Sequence, residues 1–132
     1  THDNDYLESQ EGQHLPVVHC VKDTDGWQIV DGLLEAAEKR NTIHPSFIID
    51  KPNFGSSELV TRLQGMHRAE PIESITLVGL CTDICVVSNA VLLKTGLPEV
   101  PAHIDAKCSA GATPESHEAA LATMKMCQCI VE

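Results

Sequence analysis

Short apolar runs alternate along the chain with segments whose apolar residues recur at helical spacing. The clearest run, Ile75–Leu80, predicts a central strand, and residues 47–49 predict a second buried strand. Two weaker strands are predicted at residues 102–105 and 129–131. These runs lack the polar alternation of a strand with one solvated face, so we expect the sheet to be covered on both faces.

Four helices are predicted from apolar residues spaced three and four apart, at residues 29–40, 57–65, 84–96 and 114–126. Ser56 or Ser57 can cap the second helix. Thr113 and Pro114 start the last one, because a hydroxyl cap followed by proline is typical of a helix amino terminus.

Strands and helices therefore alternate, which predicts an α/β fold: a doubly wound parallel sheet with helices on both faces, in one domain over residues 1–132. In such sheets the chemistry lies beyond the carboxyl ends of the strands. Residues 1–26 are polar, and we expect a long functional loop there, since structureless segments of this length are otherwise uncommon. The chain begins with Thr1, and we expect it to be part of something longer.

Composition and charge exclude several classes of partner and of protein. Nineteen acidic and nine basic side chains give a net charge of −10, which argues against nucleic acid and anionic membranes as partners. No apolar run is long enough for a transmembrane helix. The six cysteines form no CxxC pair, and long aliphatic runs can build a core without disulfides. We therefore expect reduced cysteines in a cytoplasmic protein, most of them buried.

One cysteine is a candidate nucleophile. Cys85 follows the central strand almost directly and falls in the first turn of the next helix, where backbone N–H groups and the helix dipole favour a thiolate. The same N–H groups can stabilise an oxyanion. Lys51, after another predicted strand, would add positive charge. The alternative interpretation is that Cys85 is a small buried hydrophobe and Lys51 a surface lysine.

Three ordered segments resemble one family. The nucleophile segment of the isochorismatase-like cysteine hydrolases, G-x-x-T-D-x-C-V, is similar to Gly79-Leu80-Cys81-Thr82-Asp83-Ile84-Cys85-Val86. The nicotinamidase branch is similar in order and spacing to Lys51-Pro52-Asn53-Phe54-Gly55-Ser56, and to His2 followed by Glu11-Gly12 and His19. The resemblance covers essentially the whole chain.

The resemblance implies a triad of Asp, Lys and Cys, in which Cys85 is the nucleophile and Lys51 the lysine. The backbone amides of Cys81 and Cys85 would form the oxyanion hole, with a non-proline cis peptide at Leu80–Cys81. Phe54 and Leu80 would contact the substrate. His117, in the last helix, is interpreted as structural.

The triad aspartate is the departure from the family pattern. The family has it at the end of its first strand, which would precede Thr1, so no residue of this chain takes that role. We expect an N-terminal strand–helix–strand unit to be missing from this sequence, because a sheet without its first strand would expose an apolar edge.

The resemblance also implies a metal site. His2, Glu11 and His19 are the candidate ligands, and imidazole with carboxylate suits zinc, manganese or iron better than calcium or magnesium. Zinc is the expected metal. Without the resemblance, the same residues would be interpreted as solvated surface.

The predicted function is a nicotinamidase-like amidase that hydrolyses a small pyridine carboxamide through a Cys85 thioester. One alternative is a family hydrolase acting on another small amide, a ureido compound or an isochorismate-type ether. The other is a catalytically silent binding subunit, suggested by the missing aspartate. By analogy with the family, a homo-oligomer is expected.

Overall fold

Three parallel strands form the sheet: β1 (Ile75–Leu80), β2 (Ala102–Ala110) and β3 (Ile130–Val131), in the spatial order β1-β2-β3. The structure is a computed structural model that describes residues 1–40 and 47–132. The described residues form two compact units, Thr1–Pro52 and Asn53–Glu132, and the sheet lies in the second. The predicted α/β fold with a parallel sheet is confirmed.

The second unit contains three helices: α3 (Ser57–Ala69), α4 (Val87–Gly96) and α5 (Pro114–Met126). Ser56 caps α3 through the Leu59 N–H, and Thr113 forms a reciprocal capping box with Ser116, as the sequence predicts for both helix starts. The core joins α4, β2, α5 and the approach to β3. Its buried members are Val86, Ala90, Ala102, Ile104, Leu121, Met124 and Cys129.

The strands β1 and β2 pair in two registers separated by a bulge. Leu77 pairs with Ile104, whereas Gly79 pairs with Ser109, so β2 accommodates extra residues between these two pairs. The carboxylate of Asp105 accepts the N–H groups of Lys107 and Cys108 at 3.0 Å each, which holds the bulge. Gly79 has a φ of 121°, a conformation that glycine adopts without strain.

Three sequence predictions about the second unit need correction. Helix α3 continues past Gly65 to Ala69, because one interior glycine costs only about 1 kcal/mol and the helix ends just before Pro71 instead. Strand β2 extends to Ala110, since exposed polar residues in its second half hide the strand pattern. Along β1, exposed and half-buried residues alternate, so within this unit one face of the strand is open.

The first unit consists of short elements: 3₁₀ turns at Tyr6–Glu8 and Asp25–Trp27, α1 (Gln10–His14) and α2 (Asp31–Arg40). The predicted polar loop of residues 1–26 thus contains local helical turns, because Ser9 caps α1 by accepting the Gly12 N–H at 3.0 Å. The predicted strand at residues 47–49 is wrong. These residues lie outside any strand, and Ile48 is 64% exposed, so it does not gain the burial that stabilises an inner strand.

Gly12 is packed against the backbone of the preceding turn. A Cβ added there would overlap the Tyr6 carbonyl oxygen and lie 2.8 Å from the Leu7 Cα. We expect Gly12→Ala to destabilise the first unit by about 1–3 kcal/mol, because the backbone itself must move. Faster hydrogen exchange in residues 1–22 measures this effect.

Gly32→Ala is the matched control for this prediction. A Cβ at Gly32 meets nothing within 4 Å, and alanine favours a helix interior by about 0.5–1 kcal/mol over glycine. Equal exchange rates for the two variants would show that the close contact at Gly12 has no energetic role.

Candidate active site and metal centre

His2, Glu11 and His19 lie together in the first unit. One possible ligand atom from each residue lies within 4.8 Å of those of the other two, and all three residues are partly buried. The His2 Nε2 and Glu11 Oε1 atoms are 3.6 Å apart. The structure thus brings together the three residues that the resemblance implies as ligands.

Backbone pairing and a helix cap bring the cluster together. His2 forms a parallel bridge with Val21, in which the His2 N–H donates to the Cys20 carbonyl and its own carbonyl accepts the Lys22 N–H, both at 2.9 Å. This bridge brings residues 19–22 beside His2. Glu11 lies in the first turn of α1, which Ser9 caps.

Tyr6 packs against both histidines. Its ring centroid lies 4.4 Å from that of His2 and 5.1 Å from that of His19, and its side chain is buried. The Tyr6 hydroxyl donates to the Leu15 carbonyl at 2.9 Å, which fixes the ring. No pattern in the sequence points to this residue, because a tyrosine in a polar loop has no feature that marks it as a support.

The Nδ1 contact of His19 and the burial of His2 both favour the binding of a cation by these side chains. Nδ1 of His19 lies 2.6 Å from the Val17 carbonyl, a contact that needs the proton on Nδ1 and leaves the Nε2 lone pair available. Burial lowers the pKa of His2 below 6.5, Glu11 opposes this shift, and the charge of Lys51 adds to it. Two imidazoles and one carboxylate are a donor set that fits zinc, manganese or iron.

Lys51 is attached to the same part of the first unit. The Thr1 backbone nitrogen donates to the Lys51 carbonyl at 2.9 Å, and the Thr1 hydroxyl donates to Asp50 at 2.8 Å. The Trp27 indole N–H lies 3.1 Å from the Thr1 hydroxyl and 3.2 Å from the Asp50 carboxylate. Trp27 therefore packs the loop and connects both ends of the unit.

In the second unit, β1 passes into a helix with no intervening loop. Thr82–Val86 forms a single π-helical turn, in which the Val86 N–H donates to the Cys81 carbonyl at 3.1 Å, and α4 continues from it. Such turns are frequent at functional sites. The Leu80–Cys81 peptide bond is cis, which confirms the expectation from the resemblance.

The two cysteines of this turn differ from each other. Burial raises the pKa of the Cys81 thiol, and Asp83 and Cys85 raise it further, so Cys81 stays protonated at neutral pH. Cys85 is partly exposed. Leu80 and Phe54 are 70% and 45% exposed, as side chains available to a ligand would be.

Most of the cysteines are expected from the sequence to be buried, and this is only partly right. Cys129 is buried and Cys127 half-buried, but Cys20 and Cys108 are exposed. Cys20 lies in a turn with a φ of 47°, and Cys108 lies in the bulge of β2, so neither joins the core. None of the six cysteines, all of which the structure describes, forms a disulfide bond.

Polar side chains attach the π-helical turn of Thr82–Val86 to α5 and to the residue before its cap. Thr82 is fully buried, and its hydroxyl lies 2.9 Å from Nδ1 of His117. The Asp83 carboxylate accepts the Ala112 N–H, with its oxygens at 3.1 and 3.2 Å. The structural interpretation of His117 therefore gains a specific contact, with the first residue of the turn. Sequence reasoning missed the contact because the two residues are 35 positions apart.

Comparison with known proteins shows the family of this chain and several similar structures. A family model for the isochorismatase domain matches residues 1–132. The nicotinamidase/pyrazinamidase PncA of Bacillus subtilis is 27% identical with a TM-score of 0.77, over 98% of this chain and 69% of that one. The pyrazinamidase of Pyrococcus horikoshii, solved in complex with zinc, is 22% identical with a TM-score of 0.74, over 99% of this chain and 70% of that one.

These matches and the site define a class of α/β hydrolases with a parallel sheet. The chain belongs to the isochorismatase family. No curated protein matches it by sequence. Among the helices of residues 1–40 and 47–132, none has the length and apolar character that crossing a bilayer requires.

The Asp83 contacts predict a pH dependence of stability. A hydrogen bond from Ser116 and the Ala112 N–H hold the pKa of the Asp83 carboxyl below its usual 3.8. A lowered folded-state pKa contributes stability above the usual value and loses it as the pH falls through the folded value. We expect the melting-temperature advantage of the wild type over Asp83→Asn to shrink as the pH falls below about 4.

Melting curves from pH 7 to pH 3 measure this difference. A difference in melting temperature between the two proteins that stays constant across that pH range would contradict a stabilising role for the ionised carboxylate.

Proposed function

We propose that the chain is the catalytic part of a nicotinamidase-like amidase, which converts a small pyridine carboxamide to the acid and ammonia. The observation that carries this proposal is the cluster of His2, Glu11 and His19, whose ligand atoms lie within 4.8 Å of one another. Within the family these residues distinguish the nicotinamidase branch. The likeness to the Bacillus subtilis enzyme also supports the assignment.

Cys85 is the proposed nucleophile. Its sulfur forms a bond to the carboxamide carbon, and the carbonyl oxygen gains a negative charge that the N–H groups of Cys81 and Cys85 stabilise. When the C–N bond breaks, the nitrogen takes up the proton that the thiol lost, and ammonia leaves. Water then hydrolyses the thioester, which releases the acid and restores the thiol.

Lys51 is proposed to balance the charge of the site. Phe54 and Leu80 are proposed to contact the substrate ring. Exposed apolar side chains of this size suit a flat heteroaromatic ligand.

A metal ion, most simply zinc, would be held by His2, Glu11 and His19. When bound, it would supply a Lewis-acidic position for the pyridine nitrogen of the substrate and order nearby water. Zinc in the Pyrococcus horikoshii structure, whose fold this chain shares, supports that choice. Tyr6 and the Val17 carbonyl would orient the histidine ligands from behind.

Replacing the nucleophile tests the reaction. In the full-length protein we expect Cys85→Ala to lower ammonia release from nicotinamide by at least about a thousandfold, because no thioester can form. Cys108→Ala removes an exposed thiol elsewhere and serves as the control. Wild-type protein with bound metal that releases no ammonia from nicotinamide or close pyridine carboxamides would contradict the substrate assignment.

Metal analysis separates this function from its alternatives. We expect about one equivalent of transition metal per chain in the wild type and a large loss in His19→Ala, because one of three ligands is removed. His14→Ala is the control, since His14 is exposed and its Nδ1 contacts the Gln10 carbonyl. A metal-free protein that hydrolyses another small amide would favour a different branch of the family.

Cytoplasmic location and a homo-oligomer remain predictions, as does the single domain over residues 1–132. An unreactive Cys85 in the complete protein would favour the silent binding subunit. Thiol labelling at pH 7 distinguishes that case, because a nucleophilic cysteine reacts faster than an ordinary exposed one.

A further inference from the structure

Asn89 connects two segments of the second unit that are far apart in sequence. Its side-chain amide donates to the Cys85 carbonyl at 2.8 Å and to the Phe54 carbonyl at 3.1 Å. Its side-chain oxygen accepts the Ser56 N–H at 3.0 Å. The residue lies on α4, one turn after Cys85, and is partly buried.

Close packing holds the same two segments together. A Cβ added at Gly55 would lie 2.5 Å from the Leu92 Cδ1 and 3.6 Å from the Ser88 Cβ, so residues 53–56 run tightly along α4. Ser56 is buried, and its hydroxyl caps α3 by accepting the Leu59 N–H at 3.1 Å. Asn89 therefore forms hydrogen bonds to the backbone on both sides of Gly55, at Phe54 and at Ser56.

The chemistry of the amide suits this position. A carboxamide side chain offers two N–H donors and an acceptor oxygen, and Asn89 uses both functions at once. An aspartate would lack the donors and would face two carbonyl oxygens with a negative charge. A serine or threonine hydroxyl has one donor, enough for a bond within the helix such as the one from Ser88 to the Ile84 carbonyl.

We propose that Asn89 is a positioning residue that fixes Phe54 relative to the Cys85 turn. Through Phe54 and Ser56 it sets where the substrate ring lies, and through the Cys85 carbonyl it holds the backbone that presents the nucleophile. This inference rests on the proposed function, because it takes Phe54 as a substrate contact and Cys85 as the nucleophile.

Two substitutions separate the effect of the bonds to Phe54 and Ser56 from the effect of the bond to the Cys85 carbonyl. In Asn89→Thr, the hydroxyl keeps a bond to the Cys85 carbonyl and loses both bonds to residues 54–56. We expect the KM for nicotinamide to rise about tenfold while kcat stays within about threefold. In Asn89→Ala, which loses all three bonds, we expect kcat to fall about tenfold as well.

Thr95→Ala is the matched control. Thr95 lies on the same helix and its hydroxyl donates to the Val91 carbonyl at 2.9 Å, but it has no recorded bond to residues 53–56. We expect its KM and kcat to match the wild type. Wild-type kinetics in both Asn89 variants, or equal changes in the Thr95 variant, would overturn the proposal.

Hydrogen exchange gives a readout that needs no substrate. We expect faster exchange in residues 53–59 of both Asn89 variants, because the Ser56 N–H loses its acceptor, and wild-type exchange in Thr95→Ala. Unchanged exchange in both Asn89 variants would overturn the positioning role whatever the substrate is. Faster exchange in a protein that does not hydrolyse nicotinamide would instead overturn the proposed function and retain the connection through Asn89.

Discussion

The site depends on one backbone constraint, the direct passage of β1 into a helix. The Cys81 carbonyl accepts the N–H groups of both Ile84 and Val86, each at 3.1 Å, so the chain turns at the strand end without a loop. Because the turn is this tight, Thr82 and Asp83 point towards α5, and Cys85 lies one residue before the turn's end. The contacts of Thr82 with His117 and of Asp83 with Ala112 build on that geometry.

The turn of Thr82–Val86 is therefore held from two directions within its unit. On one side, Thr82 and Asp83 contact the start of α5, where Gly111 leaves no room for a Cβ against His117. On the other side, Asn89 connects it to residues 54–56. Since these hydrogen bonds run to backbone groups or to a buried hydroxyl, they restrict the main chain of the turn itself.

Local patterns predict local structure well in this chain. Strand β1 and the start of α5 follow from an apolar run and from a hydroxyl–proline cap, signals contained in a few neighbouring residues. The strand expected at residues 47–49 fails because a strand needs a partner, which no local pattern supplies. The same division applies to the site: ordered motifs lead to His2, Glu11 and His19, whereas Tyr6, His117 and Asn89 act through contacts that only the fold creates.

The bulge between β1 and β2 divides β2 into two halves, one up to Ile104 and one from Ser109, that pair with β1 in different registers. From Leu77 to Gly79 the chain advances two residues, while the paired segment of β2 advances five, from Ile104 to Ser109. Asp105 closes the extra residues into a self-contained turn. Insertions or deletions inside this turn can therefore be absorbed locally, without a shift in the pairing of Leu77 with Ile104 or of Gly79 with Ser109.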